Sequence, residues 1–179
     1  MLQITIPAME LWDERKSEFI YRKEQTLQLE HSLVSLSKWE RKWHKPFLGK
    51  TKKTDEETID YVKCMTITQN VDPETYTYLT DDNLKQIYEY IENPMTATTF
   101  SETKSKGKSM TVTSEVIYYW MIASNIPFEC QKWHLNTLLT LIRTCGVMGS
   151  PAKKSSNREL MSQHAAINAA NRKRFRSKG

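Results

Sequence analysis

The chain begins with an alternation of apolar and polar positions. Residues 2–6 (LQITI) alternate and end at Pro7, and residues 18–22 (EFIYR) form a second short apolar run. Alternation with a period of two is typical of a half-buried strand. We therefore predict that 2–6 and 18–22 pair as a first hairpin, with a turn through residues 12–16.

Beyond residue 28 the apolar spacing changes to three and four. Leu29, Leu33, Leu36 and Trp43 then fall on one face of a helix, which Pro46 ends. The change of period indicates that the chain passes here from a strand-forming region into a helical one.

Three further helices have start signals of their own. Thr54 with Glu57 fits a capping box, in which each side chain satisfies the other residue's backbone amide. Asp72 followed by proline fits the start of a short helix, and Thr80 fits the cap of another. We expect helices to begin at these positions.

The C-terminal half predicts a second hairpin and two more helices. Residues 96–100 and 110–113 resemble Thr-rich strands around a polar turn. Residues 115–125 (EVIYYWMIASN) are apolar almost all the way round, which predicts a helix buried on most sides. Residues 128–145 predict one long helix, the most buried of all, with Gly146 just beyond its end.

These elements predict a mainly α fold with one or two small antiparallel β-hairpins, of the α+β class. We expect one globular domain over residues 1–148 and a basic, weakly helical tail over 149–179. Residues 152–179 carry eight basic residues and one acid, a net charge of +7, which leaves −2 for residues 1–151 of the chain's +5. The basic character therefore belongs to the tail.

Composition favours a reduced, non-membrane protein. No apolar run reaches the roughly 18 residues that suggest a membrane span, and the first residues lack the pattern of a signal peptide. The three cysteines, Cys64, Cys130 and Cys145, are odd in number and widely spaced, unlike a disulfide framework. We expect the protein to remain in the compartment where it is made.

Cys130 and His134 are the first place to look for chemistry, because they lie one turn apart in a predicted helix. A structural zinc needs four clustered ligands, and Cys145 would lie about 22 Å away along that helix. The chain contains no C-x-x-C, H-x-x-x-H, G-x-S-x-G or phosphate-loop motif. We interpret these cysteines as core residues and expect no enzyme, no cofactor and no metal.

Without a catalytic motif, the function must come from surfaces. Trp39, Trp43 and Phe47 alternate with basic residues in SKWERKWHKPF. They either anchor the helix to the core, with basic side chains over the rim, or form an aromatic groove for a partner helix.

The end of the tail is the second candidate surface. Its partner-binding candidates are Arg172, Lys173, Arg174, Phe175 and Arg176. Such a run is either a solvated end or a contact for an acidic surface or for phosphates. Because residues 1–151 are net negative, we expect a protein partner rather than nucleic acid.

Five segments resemble a family of small tailed-phage proteins, the siphophage tail assembly chaperones. The segments are LEHSLVSLSKWERKWHKPF, DYVKCMTITQNV, PMTATTF, VIYYWMIASNIPFECQKWHLNTLLTLIRTC and KKSSNRELMSQHAAINAANRKR. The resemblance covers nearly the whole chain and includes no catalytic motif.

The resemblance implies a specific role. Such a chaperone binds the tape measure protein in the host cytoplasm and keeps it soluble. It gives way as the major tail tube protein polymerises, so it is absent from the mature virion. The resemblance also implies self-association along the tape measure.

Two alternatives stay open from the sequence. The chain could be a structural virion protein of the tail, baseplate or neck. It could also be a nucleic-acid-binding regulator that reads DNA with the helices near residues 114–145 and contacts phosphates with its tail.

Overall fold

The computed structural model describes residues 1–14, 17–100 and 110–149, together with 161 and 165. The chain is mainly helical with two small antiparallel sheets, which confirms the predicted fold class. The strands and helices are β1 (Leu2–Ile6), β2 (Met9–Asp13), β3 (Glu18–Arg22), β4 (Gln25–Leu29), α1 (Leu33–Trp43), α2 (Asp55–Met65), α3 (Asp81–Glu92), α4 (Ser114–Ala123) and α5 (Leu135–Gly149), with 3-10 helices at Pro73–Tyr78 and Phe128–Lys132.

The chain divides into two compact units, Met1–Cys145 and Gly146–Gly179. The first contains both sheets and the helices up to most of α5. In the second, residues 146–149 complete α5, and residues 161 and 165 have helical backbone. The predicted tail lies almost entirely outside the described residues, so its weak helicity stays a prediction.

The predicted pairing of the first hairpin is wrong. β1 pairs with β4, and β3 pairs with β2, both antiparallel. In the first sheet Ile4 lies opposite Leu27, and the buried faces of both strands look into the core. Residues 25–29 (QTLQL) alternate as regularly as residues 2–6. Because Leu29 also fits the helical spacing that follows, β4 was not predicted from the sequence.

The predicted helix starts are confirmed. The Thr54 hydroxyl accepts a hydrogen bond from the Glu57 amide and the Glu57 carboxylate accepts one from the Thr54 amide, while Thr80 and Asn83 form the same reciprocal cap. The 3-10 helix after Asp72 also starts where predicted. α1 begins later than predicted, at Leu33, because Ser32 caps it.

The long helix predicted over 128–145 is wrong as a single element. The 3-10 helix Phe128–Lys132 is followed by a break at Trp133 and His134, and α5 starts at Leu135. His134 forms a β-bridge with Ser32 instead of continuing a helix. α5 then runs through Gly146, so this glycine does not end it.

The second predicted hairpin is also wrong as far as it is described. Residues 96–100 and 110–113 form no strand, and residues 101–109 lie outside the described part. Residues 95 and 100 both contact α5: the Thr137 hydroxyl donates to the Met95 carbonyl at 3.0 Å, and the Arg143 guanidinium lies over the Phe100 ring. These side-chain contacts replace the expected strand ladder.

The core forms around α1, which packs on α2 and α4. Six residues of α1 are buried, whereas in α5 only Leu135 and Leu138 are. The most buried helix is therefore α1 and not the 128–145 segment. The largest fully buried side chains are Ile4, Leu27, Leu29, His31, Leu33, Leu36, Trp39, Met65, Ile117, Met121, Leu135 and Leu138. Among the described residues, no helix is both long and apolar enough to cross a bilayer.

Candidate protein-binding surface

The aromatic residues of α1 lie inside the protein. Trp39 and Phe47 are buried, and Trp43 is partly buried. The indole of Trp39 donates to the Glu57 carbonyl at 2.8 Å, and Phe47 stacks on Tyr61 with ring centroids 3.8 Å apart. An open aromatic groove is therefore not formed by Trp39 and Phe47, whose apolar surface is already used within the core.

The basic side chains around this cluster cover its rim. The ammonium groups of Lys42 and Lys45 lie 5.7 and 6.0 Å from the centre of the Trp43 ring. Lys42 also forms an ion pair with Asp60, and Lys45 one with Glu57. This arrangement matches the interpretation in which the aromatic residues anchor the helix to the core and the basic side chains cover the rim of the aromatic cluster.

Glu40 connects this region to α4. Its carboxylate is buried and accepts two backbone hydrogen bonds, from the Phe47 amide at 2.8 Å and from the Ser114 amide at 2.7 Å. The second bond satisfies an amide at the start of α4 that has no partner within the helix. Glu40 therefore links the start of α4 to α1.

α4 is apolar almost all the way round, with one side buried in the core and the opposite side in solvent. Ile117 and Met121 are fully buried. On the other side, Tyr119 is 66% exposed and Ile122 is 60% exposed. Because residues three apart are neighbours on a helix, Tyr119 and Ile122 form one continuous apolar face in solvent. The predicted burial is therefore incomplete: Tyr118 and Trp120 are partly buried against the core, whereas the side with Tyr119 and Ile122 is in solvent.

The 3-10 helix after α4 extends this face. The rings of Tyr118 and Phe128 have centroids 6.4 Å apart, and the Tyr118 hydroxyl donates to Gln131 at 2.8 Å. Phe128 is itself exposed. We call the set Tyr118, Tyr119, Ile122 and Phe128 the α4 surface. It has the apolar composition and helical spacing of a site that receives another helix.

Charge borders the α4 surface at the start of the helix. Hydrogen bonds from its own backbone amide and from Thr113 lower the pKa of Glu115, which is exposed there. Burial raises the pKa of the Tyr118 hydroxyl, so this tyrosine is neutral. The carboxylate gives the apolar face a charged border, as is usual at protein interfaces.

A second exposed aromatic set lies on the β2–β3 hairpin. Phe19 is 69% exposed and Tyr21 is 62% exposed, and Trp12 contacts Phe19 edge to face with centroids 4.9 Å apart. The register of the pair places Trp12 directly opposite Phe19. Clustered apolar exposure of this kind marks interaction sites more often than scattered single residues do.

The buried titratable groups form a structural network. His31 and His134 are both buried, with ring centroids 5.2 Å apart. His31 Nδ1 hydrogen bonds the Tyr61 hydroxyl at 2.7 Å, and His134 Nε2 donates to the Tyr90 carbonyl at 3.0 Å. Burial, and next the neighbouring His134, lower the pKa of His31 from 6.5 to about 4. Burial also lowers the pKa of His134.

Both ring nitrogens of His134 already have partners. Nε2 donates to Tyr90, and Nδ1 accepts from the Asn136 amide at 3.3 Å. The imidazole therefore has no free lone pair with which to activate the buried thiol of Cys130 or to bind an ion. Among residues 1–14, 17–100 and 110–149, no group of three or more His, Cys, Asp or Glu side chains is placed to hold a metal.

A cleft of about 500 Å³ opens beside α5. Its lining includes Phe100, Leu139 and Arg143, together with several threonines. Two smaller clefts lie elsewhere, one between the hairpin base and the 3-10 helix Pro73–Tyr78 and one beside α2. None of the three includes the buried histidine pair, so the titratable groups and the clefts do not form one site.

The predicted and observed surface residues differ. Trp39, Trp43 and Phe47 are brought together, but in the core and at its rim, whereas Arg172, Lys173, Arg174, Phe175 and Arg176 lie outside the described residues. The α4 surface was not predicted as a site. The signal was available in a ten-residue helix without a polar face, since such a helix needs apolar neighbours on every side.

No protein-family model, curated protein or solved structure matches this chain.

Proposed function

We propose that this protein is a tail assembly chaperone of a tailed phage, and that it holds the tape measure protein on its α4 surface. The observation that carries the proposal is the apolar face of Tyr119 and Ile122, which is exposed to solvent among the described residues. The sequence resemblance of five segments to the siphophage chaperones supports the identity of the partner.

The chemistry of the α4 surface suits a long amphipathic helix. Two exposed apolar residues three apart, extended by Phe128, match the i and i+3 spacing of anchors on a partner helix. The surface is small, so each contact has moderate affinity. A tape measure chain offers many such sites in sequence, and avidity compensates for the weakness of each one.

Moderate affinity per site is also what release requires. In the proposed pathway the major tail tube protein polymerises around the tape measure and displaces the chaperone site by site. The chaperone then works in the host cytoplasm and does not remain in the finished virion. Mass spectrometry of purified particles tests this point, because copies retained in stoichiometric amounts indicate a structural virion protein.

Co-expression with the tape measure protein tests the binding itself. We expect the wild-type chain to keep the tape measure soluble and to elute with it. Tyr119→Lys with Ile122→Lys removes the apolar face without touching the core, so we expect loss of co-elution with unchanged thermal stability.

Tyr88→Lys is the matched control. Tyr88 is an exposed aromatic residue on α3 and is not part of the α4 surface. We expect this variant to bind as the wild type does. Equal loss of binding in both variants, or a tape measure that stays insoluble with the wild-type chain, would contradict the proposal.

A further inference from the structure

The β2–β3 hairpin is a two-stranded sheet separate from β1–β4. Arg22 connects the hairpin to the 3-10 helix Pro73–Tyr78. Its guanidinium lies 4.6 Å from the centre of the Tyr78 ring and forms an ion pair with Glu74. Beyond these contacts the strands pair with each other alone. Two strands by themselves are at best marginally stable in water, so a hairpin with an exposed aromatic face gains most by adding strands.

The outer edge of β3 is open to pairing. β3 pairs with β2 along one edge, and no strand within residues 1–14, 17–100 and 110–149 pairs along the other. Four of its five residues are exposed. Edge strands are usually protected by lysine, proline or a bulge, and EFIYR contains no lysine or proline. An open apolar edge of this kind is a template for another strand.

The sequence of β3 complements itself. In an antiparallel pair of two β3 strands centred on Ile20, Glu18 lies opposite Arg22 of a second copy. Phe19 lies opposite the second copy's Tyr21, and Ile20 lies opposite itself. Opposite charges, aromatic pairs and β-branched pairs facing each other across strands are each stabilising. Arg22 has five N–H donors, so its ion pairs with Glu74 and Asp72 leave others for Glu18 of the second copy.

β2 has no such complementarity. Centred on residue 11, MELWD would place Met9 opposite Asp13 and Glu10 opposite Trp12. A carboxylate would then face an apolar side chain at each of these pairs. The self-complementary pattern therefore belongs to β3, and a two-fold axis at Ile20 is the symmetry it specifies.

We propose that two copies of this chain associate through antiparallel pairing of their β3 strands. The product is one four-stranded sheet in the order β2-β3-β3-β2. On one face, Trp12 and Phe19 continue into Tyr21 of the second copy as an aromatic row. The partner is thus a second copy of the chain, and the proposal does not depend on the tape measure.

Sedimentation of the purified full chain over a range of concentrations tests the dimer. We expect the wild type to dimerise and Ile20→Lys, which places two ammonium groups opposite each other at the axis, to raise the dimer dissociation constant by about tenfold or more. Tyr88→Lys is the matched control, an exposed aromatic residue on α3 that belongs neither to the hairpin nor to the α4 surface, and it should dimerise as the wild type does.

Cysteine cross-linking tests the register independently of any effect on folding. Ile20→Cys should form a covalent dimer rapidly on mild oxidation, because position 20 faces itself across the axis. Phe19→Cys should not, because position 19 faces position 21. A wild type that is monomeric throughout, an Ile20→Lys dimer of unchanged affinity, or equal cross-linking at both positions would overturn the proposal.

These outcomes separate the dimer from the proposed chaperone role. A monomeric wild type that captures the tape measure overturns the dimer alone. A β3-linked dimer that leaves the tape measure insoluble overturns the chaperone role alone.

Discussion

α1 and α4 pack against each other, yet the more polar helix is the better buried. α1 buries Ser35, Ser37 and Glu40 along with its leucines, whereas α4, which is almost wholly apolar, leaves Tyr119 and Ile122 in solvent. The Ser35 hydroxyl is hydrogen bonded to the backbone of Ser32, and the Glu40 carboxylate accepts from the amides of Phe47 and Ser114. Within the part of the chain that the structure describes, the apolar side chains of Tyr119 and Ile122 remain exposed to solvent.

The difference teaches where to look for function in this protein. A buried polar group is stable only when it is hydrogen bonded, so its partners are found within the fold. An apolar helix face in water lowers its free energy when it is covered, so the side of α4 that is exposed among the described residues is where we propose that a second molecule binds. α1 thus accounts for the architecture of the domain, and α4 for its proposed binding.

The largest expected effect is a difference in the free energy of unfolding between substitutions on the buried and the exposed side of α4. Met121→Asp places a carboxylate in the core without a partner and should destabilise the domain by at least about 5 kcal/mol, enough to unfold it. Ile122→Asp, the adjacent residue on the exposed side, should change stability by less than about 0.5 kcal/mol. Chemical denaturation of both variants measures the contrast, and similar stabilities would contradict the orientation of α4.

The next largest effect comes from removing the hydrogen bonds by which Glu40 links α1 to α4. Glu40→Ala leaves the amides of Phe47 and Ser114 buried without acceptors and should cost about 4 kcal/mol. Lys38→Ala, on the exposed side of α1, is the control and should be close to neutral. A mild effect at Glu40 would mean that the start of α4 is positioned by packing alone.

The third effect is a pH dependence centred on the histidine pair before α1 and α5. His31 has a pKa of about 4 when folded and 6.5 otherwise, so the unfolded chain binds its proton more readily. Stability is therefore fully present above pH 6.5 and decreases as the pH falls toward 4, by about 3 kcal/mol for this residue. The lowered pKa of His134 adds a loss in the same direction.

Denaturation curves of wild type and His31→Gln between pH 7 and 5 measure this dependence. That range lies above the ordinary carboxylate range, so histidines dominate it. The variant should show a shallower loss of stability than the wild type. An identical pH slope would show that His31 does not remain neutral in the folded protein.

The smallest effect concerns the anchor of α1. Trp39→Phe keeps most of the apolar volume but removes the indole donor to the Glu57 carbonyl, and should cost about 1 kcal/mol or somewhat more. It should not reduce tape measure binding, because Trp39 is not part of the α4 surface. If Trp39→Phe lost tape measure binding at unchanged stability, the aromatic residues of α1 would be a contact site after all.

The sequence by itself determined the local features of this protein. Thr54 and Thr80 cap helices as predicted, and the 3-10 helix follows Asp72, because capping joins atoms only three residues apart. The strands 2–6 and 18–22 were also correctly located, the first from its alternation and the second from its short apolar run. The choice of an α+β fold class follows from these elements and needs no long-range contact.

Tertiary structure decided what depends on distant partners. Strand β1 pairs with β4 and not with β3, because Leu27 and Leu29 are buried in the core whereas the side chains of β3 are not. The helix predicted over 128–145 broke at His134, because that residue bridges to Ser32, about a hundred positions earlier in the sequence. The exposed side of α4 was decided in the same way, since hydrophobicity states only that a face should be covered, and packing determines whether the chain itself covers it.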